Sequence, residues 1–303
     1  MNKPIETEHK LRNLVHSALL IGGMALVTGL CGYVLFGTDG IVLAFGAIVV
    51  ALTLSPSVPP SFVLSMYGAQ QIPAGQAPFL HDIVDELSRR ADLPARPKLY
   101  VMPSPMMNAF SLGKKNDAAI GMTHGLLAEM NRAELAGILA HELSHIASND
   151  LWVMNLANTM SRATSLLSYF GMFLLLLNMP LILFGEVSVP WSLVLVLILA
   201  PTLISLLQLA LSRAREYEAD LNAARLLGDP EAVAAALIKL EKKQGRFWER
   251  LVGPGRQMPE PSLLRTHPKT EDRVARLRAL QEADENPSPL RGMNRTERLG
   301  GWA

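Results

Sequence analysis

The sequence predicts an α+β protein that is mainly α-helical and combines four transmembrane helices with a hydrophilic part holding a small β-sheet. Half of the 303 residues are hydrophobic and only 18% are charged, a balance typical of a membrane protein with one water-exposed part. The net charge of +1 gives no reason to expect nucleic acid as a partner. The one cysteine, Cys31, excludes an internal disulfide framework.

Four apolar runs are the candidates for the transmembrane helices. Residues 13–38 contain no Lys, Arg, Asp or Glu and are long enough to cross about 30 Å of hydrocarbon. A second run, 40–54, follows directly after Asp39, which argues against a cleaved signal peptide. The proline-rich stretch "SPSVPPS" leaves the end of this run open. Two further uncharged runs flank Glu186 and predict a hairpin of two transmembrane helices. The alternative is a buried helical hairpin of a soluble protein. These two runs comprise residues 163–185 and 187–211.

The distribution of basic residues predicts how the spans are oriented. The two hairpin tips carry Asp39 and Glu186 and no Lys or Arg. Basic residues gather at the opposite ends of the spans, and cytoplasmic loops are the ones enriched in Lys and Arg. Both termini and both hydrophilic segments are therefore expected in the cytoplasm. The basic residues concerned are Lys3, Lys10, Arg12, Arg162, Arg213 and Arg215.

The stretch "HELSH" in the first hydrophilic segment indicates a metal site. On a helix, His141 and His145 lie one turn apart on the same face, so both rings can reach one ion. Neutral imidazole is a good ligand for zinc. Glu142 is rotated off that face, where it could act as general base on a metal-activated water. The alternative is a pair of ordinary surface histidines on a helix.

Two acidic residues further along the chain could complete such a site. Glu216 and Asp220 lie four residues apart on one helix face, so Glu216 could bind the metal while Asp220 accepts a hydrogen bond from a ligating histidine. Glu218 is the competing choice of ligand, and a solvated acidic face is the alternative for the whole group. The spacing favours Glu216 because only Glu216 has a carboxylate four residues later.

The hydrophilic segments also show recognisable secondary-structure patterns. Residues 78–91 predict an amphipathic helix, 96–104 a strand, and 108–127 a hairpin. The stretch Asn131–Glu134 resembles a capping box and predicts the start of the helix that carries the histidines. The predicted division of the chain is a membrane region with two spans, a first catalytic part, a transmembrane hairpin, a second catalytic part and a polar tail. Their bounds are 1–69, 70–161, 162–211, 212–281 and 282–303.

Together these motifs resemble the HtpX family of membrane zinc endopeptidases, which are relatives of the CAAX prenyl proteases. The resemblance rests on four stretches in the family's order, "NAF", "HELSHIASND", "SRAREYEAD" and "THPKTEDRVARL". It implies a zincin-like domain with one zinc ion per chain, bound by His141, His145 and Glu216. It also implies Glu142 as general base and Asp220 as the partner of a ligating histidine.

Two further elements are expected to bind the substrate or to stabilise the transition state. His267, in the "HP" element, is expected to stabilise the oxyanion, with a histidine at the entry to a helix as the alternative. The strand that begins with Asn108, Ala109 and Phe110 is expected to pair with an extended substrate, with an ordinary core strand as the alternative. Three arginines are expected to pair with carboxylates or lipid headgroups: Arg213, Arg215 and Arg273.

The resemblance implies an endopeptidase in the bacterial cytoplasmic (inner) membrane, with its site on the cytoplasmic face. Its expected partners are protein or peptide substrates, above all membrane or misfolded proteins, together with the lipid bilayer. Its expected role is protein quality control in the stress response. Two alternatives stay open, a membrane metallohydrolase of a non-peptide bond and a non-catalytic scaffold. The intact Glu142 argues against the scaffold, which needs no base.

Overall fold

The computed structural model describes residues 3–54, 59–185, 189–252 and 269–283. In this part of the chain helices predominate, and one four-stranded sheet lies among them. The helices are α1 (Lys3–Leu54), α2 (Pro60–Met66), α3 (Pro78–Arg90), α4 (His124–Glu129), α5 (Arg132–Ala147), α6 (Asp150–Leu177), α7 (Met179–Leu183), α8 (Trp191–Leu227), α9 (Pro230–Val252) and α10 (Thr270–Ala283); the strands are β1 (Gln70–Gln71), β2 (Lys98–Met102), β3 (Ala109–Lys114) and β4 (Asp117–Thr123).

The sheet has the order β1-β2-β4-β3, with β2 and β4 parallel and the other pairs antiparallel. The predicted hairpin is confirmed as β3 and β4, and Lys114 lies opposite Asp117 at its turn. Gly113 has φ +94°, and a Cβ there would overlap the carbonyl oxygen of Asp117. The turn therefore requires glycine at this position. Central strand β4 is buried along almost its whole length, while β3 forms an edge of the sheet.

Helix α5 lies in the middle of what we call the α/β core, which consists of the sheet, α3, α4, α5, α9, α10 and the last part of α8. Twelve of its sixteen residues are buried, so the histidines it carries are held by packing on most sides. The predicted capping box is confirmed: the Glu134 N–H donates to Asn131 Oδ1, and the Asn131 N–H donates to Glu134 Oε2. Such a cap contributes about 1 kcal/mol. The predicted helix at 78–91 is also confirmed, as α3.

Within the described residues, three helices are long and apolar enough to cross a membrane: Leu14–Leu54, Asp150–Leu177 and Trp191–Leu227. The first of them is interrupted by non-helical backbone at Phe36 and Gly37. A Cβ on Gly40 would overlap the carbonyl oxygen of Gly32, so the two arms of α1 fold back on each other next to this bend. The tip thus lies close to Asp39, as predicted. Four separate spans stay a prediction, since the second arm covers only 38–54 and a span takes roughly 20 residues.

We call α1, α6 and the first part of α8, which pack on one another, the membrane bundle. Its outer surface carries large apolar side chains such as Leu26, Val42 and Leu166, each exposed by about two thirds or more. Such an apolar surface is stable in contact with lipid, whereas its exposure to water would be unfavourable. Trp152 and Trp191, both largely exposed, lie at opposite ends of the bundle, where amphipathic indole rings favour the membrane–water interface.

Helix α8 joins the two halves of the molecule. It runs through 37 residues without a break, a length of about 55 Å, from the membrane bundle into the α/β core. Helices α6 and α8 both continue across the predicted domain boundaries at 161/162 and 211/212. These two predicted boundaries therefore mark changes in composition along the chain, and they fall inside helices and not between them. The predicted polar tail lies almost wholly outside the described residues.

Candidate metal centre

Helices α5 and α8 bring together two histidines and one glutamate. The Nε2 atoms of His141 and His145 are 3.2 Å apart. The carboxylate of Glu216 lies 3.6 Å from Nε2 of His141 and 3.9 Å from Nε2 of His145. Three protein ligands placed tetrahedrally around one ion at the usual zinc bond lengths are roughly 3.3–3.6 Å apart. The three side chains fit a common metal ion with small adjustments.

A carboxylate lies close to the other nitrogen of each histidine ring. Nδ1 of His141 lies 3.1 Å from Asp220 Oδ1, and Nδ1 of His145 lies 2.7 Å from Asp150 Oδ2. A carboxylate at Nδ1 fixes the ring orientation and leaves Nε2 to the metal. Asp220 thus lies beside His141, the kind of position that the sequence predicted for it. Asp150 was missed by the sequence analysis.

Asp150 reaches His145 because of the turn between α5 and α6. Asn149 adopts a left-handed conformation with φ 61°, a state that asparagine tolerates better than most residues. The chain reverses there, and Asp150 begins α6 with only 3% of its surface exposed. The sequence does contain Asn149 and Asp150 shortly after His145. The contact between Asp150 and His145 depends on the turn at Asn149, which the sequence alone does not reveal.

Two buried arginines hold the orienting carboxylates. Arg273 donates from Nε and Nη2 to the two oxygens of Asp220 at 2.6 Å each, and its Nη2 lies 3.3 Å from Glu216. Arg215 donates to Asp150, from Nε at 2.6 Å and also from Nη2. Paired guanidinium and carboxylate groups offset much of the cost of burying either charge. Each histidine therefore ends a chain that runs arginine, aspartate, histidine.

The structure separates the two competing glutamates on α8. Glu218 accepts a hydrogen bond at 2.6 Å from Nη1 of Arg215, whereas Glu216 points at the histidines. Two residues along a helix correspond to a rotation of about 200°, so the two side chains leave the helix on opposite sides. Asp220, four residues after Glu216, returns to the same face as Glu216. The four-residue spacing that favoured Glu216 thus corresponds to a shared helix face, on which Glu216 and Asp220 both lie beside His141.

Glu142 follows His141 on α5 and is 8% exposed. Within the described residues no hydrogen bond reaches its carboxylate, in contrast to those of Asp150 and Asp220. Burial lowers the pKa of His145, but the hydrogen bond with Asp150 and the charges of Glu142, Glu216 and Asp150 raise it to about 9. In the described part of the chain, four carboxylates surround the two histidines, whereas two arginines lie beside them. A divalent cation would offset this excess of negative charge. The four carboxylates belong to Glu142, Asp150, Glu216 and Asp220.

The residues assigned to substrate lie at the edge of the sheet. Asn108 precedes β3, and its backbone exchanges hydrogen bonds with Thr123, through the Asn108 N–H to Thr123 Oγ1 and the Thr123 N–H to the Asn108 carbonyl. Ala109 and Phe110 begin β3, which packs against α5. The strand that these residues begin thus lies next to the helix that carries the histidines. His267 lies outside the described residues.

Comparison with known proteins identifies the family. Residues 74–281 match the model of peptidase family M48. The chain belongs to this family. It is 37% identical over 278 residues to a protease HtpX homolog of Salinibacter ruber, a match that covers 88% of this chain and 97% of the relative. It is likewise 37% identical to a protease HtpX homolog of Pyrococcus abyssi, over 84% of this chain and 91% of that protein.

The fold is also found in a solved structure. The crystal structure of Ste24p from S. mikatae is similar with a TM-score of 0.51 and 20% sequence identity, covering 89% of this chain and 67% of that one. At this identity the likeness concerns the fold alone. Family membership, the His-His-Glu cluster and the three helices of the described part that are long enough for a membrane together make this M48 chain a membrane metalloprotease. The predicted resemblance to the HtpX family is confirmed.

Proposed function

We propose that the protein is a zinc-dependent endopeptidase that cleaves membrane or misfolded proteins at the cytoplasmic face of a bacterial inner membrane, in protein quality control. The observation that carries this proposal is the cluster of His141, His145 and Glu216, with both histidines oriented by carboxylates. Two histidines and one glutamate are the ligand set of a catalytic zinc that keeps its fourth position open. One zinc ion is expected per chain.

The side chains of the centre divide the chemistry among them. A zinc ion at this place would supply the positive charge that acidifies a water molecule and polarises a peptide carbonyl. Glu142, whose carboxylate accepts no hydrogen bond within the described residues, takes the proton from the attacking water and passes it to the leaving amine. Asp150 and Asp220 keep both imidazole rings in the required tautomer and orientation. His267 is the proposed donor to the developing oxyanion.

The edge strand β3 is the proposed substrate platform. An extended peptide can add to the edge of a sheet through main-chain hydrogen bonds. One side of β3 pairs with β4, while its other side belongs to the edge of the sheet, and the strand contacts α5. A peptide paired there beside Asn108, Ala109 and Phe110 would run close to the helix that carries Glu142. Recognition through the backbone suits a protease with many substrates.

The position of the centre favours substrates that come from the membrane. Glu216 lies five residues beyond the end of the apolar run at Leu211, which is about 7.5 Å along the helix. Segments that emerge from the bilayer would therefore meet the site before freely soluble chains do. The cytoplasmic orientation is tested by cysteine labelling in intact cells. A cysteine that replaces Asp39 should react with a reagent added outside, and one that replaces Lys115 should be protected. Labelling of position 115 from outside would contradict this orientation.

A metal and cleavage assay on the purified protein tests the proposed function. In detergent, the protein should contain close to one zinc per chain and cleave an unstructured protein such as casein. A chelator should stop cleavage, and added zinc should restore it. Zinc-loaded protein that leaves peptides intact but hydrolyses an ester or another non-peptide bond would favour the metallohydrolase. Zinc-loaded protein without any hydrolysis would favour the scaffold.

A further inference from the structure

A cavity of about 870 Å³ lies between the membrane bundle and the α/β core. Its walls come from five helices, α1, α3, α5, α6 and α8, and include none of the three metal-ligand residues. A volume of this size is in the range of sites for small organic ligands, and far exceeds what a single phosphate ion needs. The cavity therefore adjoins the metal centre through Arg215 without including its ligand residues, and it needs an explanation of its own.

The walls of the cavity are of two kinds. Leu14, Ile21 and Val153 come from the apolar ends of α1 and α6, and they give the cavity an apolar wall. The α/β core contributes Arg90, Arg225 and the ion-paired Arg215 and Glu218, so this wall carries a net positive charge. An occupant that matches both walls has an apolar part and an anionic part.

Two polar groups of the cavity lack a hydrogen-bond partner among the described residues. Ser17 is 8% exposed, and its buried Oγ has no partner in that part of the chain. Arg225 has a buried Nη1 that likewise donates to nothing in the described part of the chain. Buried donors without an acceptor are costly and rare in folded proteins. Both groups lie in the lining of the cavity, so a ligand with acceptor oxygens would satisfy them.

The other two arginines of the lining are already committed. Arg90 donates to the Glu86 carboxylate and to the carbonyl of Leu226, at 2.7 Å each. Arg215 donates to Asp150 and to Glu218. Among the described residues of the lining, Arg225 is left as the cation whose guanidinium can turn to a ligand. A planar guanidinium with several parallel donors is well suited to a phosphate group.

We propose that this cavity binds an anionic phospholipid, with the phosphate at Arg225 and an acyl chain along Leu14, Ile21 and Val153. The apolar wall belongs to helices that enter the bilayer, so the acyl chain can continue into lipid. Trp152, next to Val153, is 54% exposed, and tryptophan favours the level of the headgroups. A lipid molecule fits both walls, whereas a free phosphate ion fits only the cationic one.

Binding of a short-chain lipid to the full-length protein in detergent tests this proposal. Dioctanoyl phosphatidylglycerol is titrated, and the bound fraction is measured by native mass spectrometry and by the rise in unfolding temperature. Arg225→Gln removes the charge and should weaken binding roughly tenfold or more. Ala18→Phe narrows the cavity without a change of charge and should also weaken binding. Arg96→Gln, an exposed arginine outside the cavity paired with Asp85, is the matched control and should bind like wild type.

Three results would overturn the proposal. Equal binding by wild type, Arg225→Gln and Ala18→Phe would show that the lipid sits elsewhere. Equal affinity for dioctanoyl phosphatidylcholine would show that the headgroup charge is not recognised. Displacement by inorganic phosphate at the same concentration as the lipid would make the cavity a site for soluble anions. Because the measurement is binding and not proteolysis, its outcome is independent of the function proposed above.

Discussion

The α/β core and the membrane bundle both bury polar side chains, but the hydrogen bonds that hold these side chains differ between the two halves. In the core, Arg273 and Arg215 hold Asp220 and Asp150 through charged hydrogen bonds. In the bundle, the buried hydroxyls of Thr28 and Thr164 form a neutral hydrogen bond of 2.8 Å. Charged networks fix side-chain positions more strongly than neutral pairs do.

This difference assigns separate tasks to the two halves. In the core, a substitution of one charged residue should disturb chemistry and metal binding while most of the packing survives. In the bundle, close backbone contact at Gly32 and Gly40 carries the architecture, so substitutions there should disturb folding and leave the chemistry of folded molecules unchanged. Helix α8 belongs to both halves, which places the metal centre at their junction.

The largest effect is expected from removal of a ligand. His141→Ala, His145→Ala and Glu216→Ala should each lower zinc content well below one per chain, measured by elemental analysis of purified protein, and abolish cleavage. Glu218→Ala is the matched control, since Glu218 pairs with Arg215 and points away from the histidines. Loss of zinc in Glu218→Ala together with full zinc in Glu216→Ala would reverse the assignment of the third ligand.

Substitution of the proposed base should separate binding from turnover. Glu142→Gln keeps the size of the side chain but removes its basicity, and loss of a general base typically costs about 10²–10⁴-fold in rate. The variant should therefore keep roughly full zinc and insert normally while losing most cleavage in the same assay. Wild-type turnover by Glu142→Gln would remove Glu142 from the mechanism.

A smaller effect is expected at the residue that the sequence analysis missed. Asp150→Asn should weaken zinc binding about 10–100-fold, the usual cost of losing a carboxylate that orients a ligating histidine. Competition with a zinc-binding dye measures this affinity. Glu218→Gln changes the other carboxylate that pairs with Arg215 and touches neither histidine, so its affinity should stay near wild type. Equal affinities in the two variants would show that Asp150 does not act through His145.

The sequence was most informative where function depends on spacing along one helix. His141 and His145 share a face of α5, and Glu216 and Asp220 share a face of α8, as their four-residue spacing predicts. It was least informative where side chains meet through a turn or between distant segments. Asp150 reaches His145 only because Asn149 is left-handed, and Arg273 comes from a helix 53 residues beyond Asp220.

The membrane part shows the same limit. Composition alone locates the apolar segments, because a bilayer demands long uncharged runs. Whether residues 13–54 form one bent helix or two spans depends on a turn at Phe36 and Gly37, a few residues whose effect composition does not reveal. The substrate strand and His267 stay predictions, since one awaits a bound peptide and the other lies outside the described residues.

The smallest effect tests the architectural side of the comparison. Gly40→Ala adds a methyl group that would overlap the carbonyl oxygen of Gly32, so the two arms of α1 must separate slightly. Overpacking of this kind typically costs about 1–3 kcal/mol. A Cβ at Gly46, on the same arm, would meet no atom within 4 Å, which makes Gly46→Ala the matched control.

Thermal unfolding in detergent should therefore show a lower midpoint for Gly40→Ala and little change for Gly46→Ala. Zinc per folded chain and the rate of cleavage per zinc should be the same in both, because neither substitution reaches the α/β core. A loss of zinc in folded Gly40→Ala protein would mean that strain in the bundle passes along α8 to Glu216. In that case the two halves would share one energetic unit, and the separation of tasks drawn above would not hold.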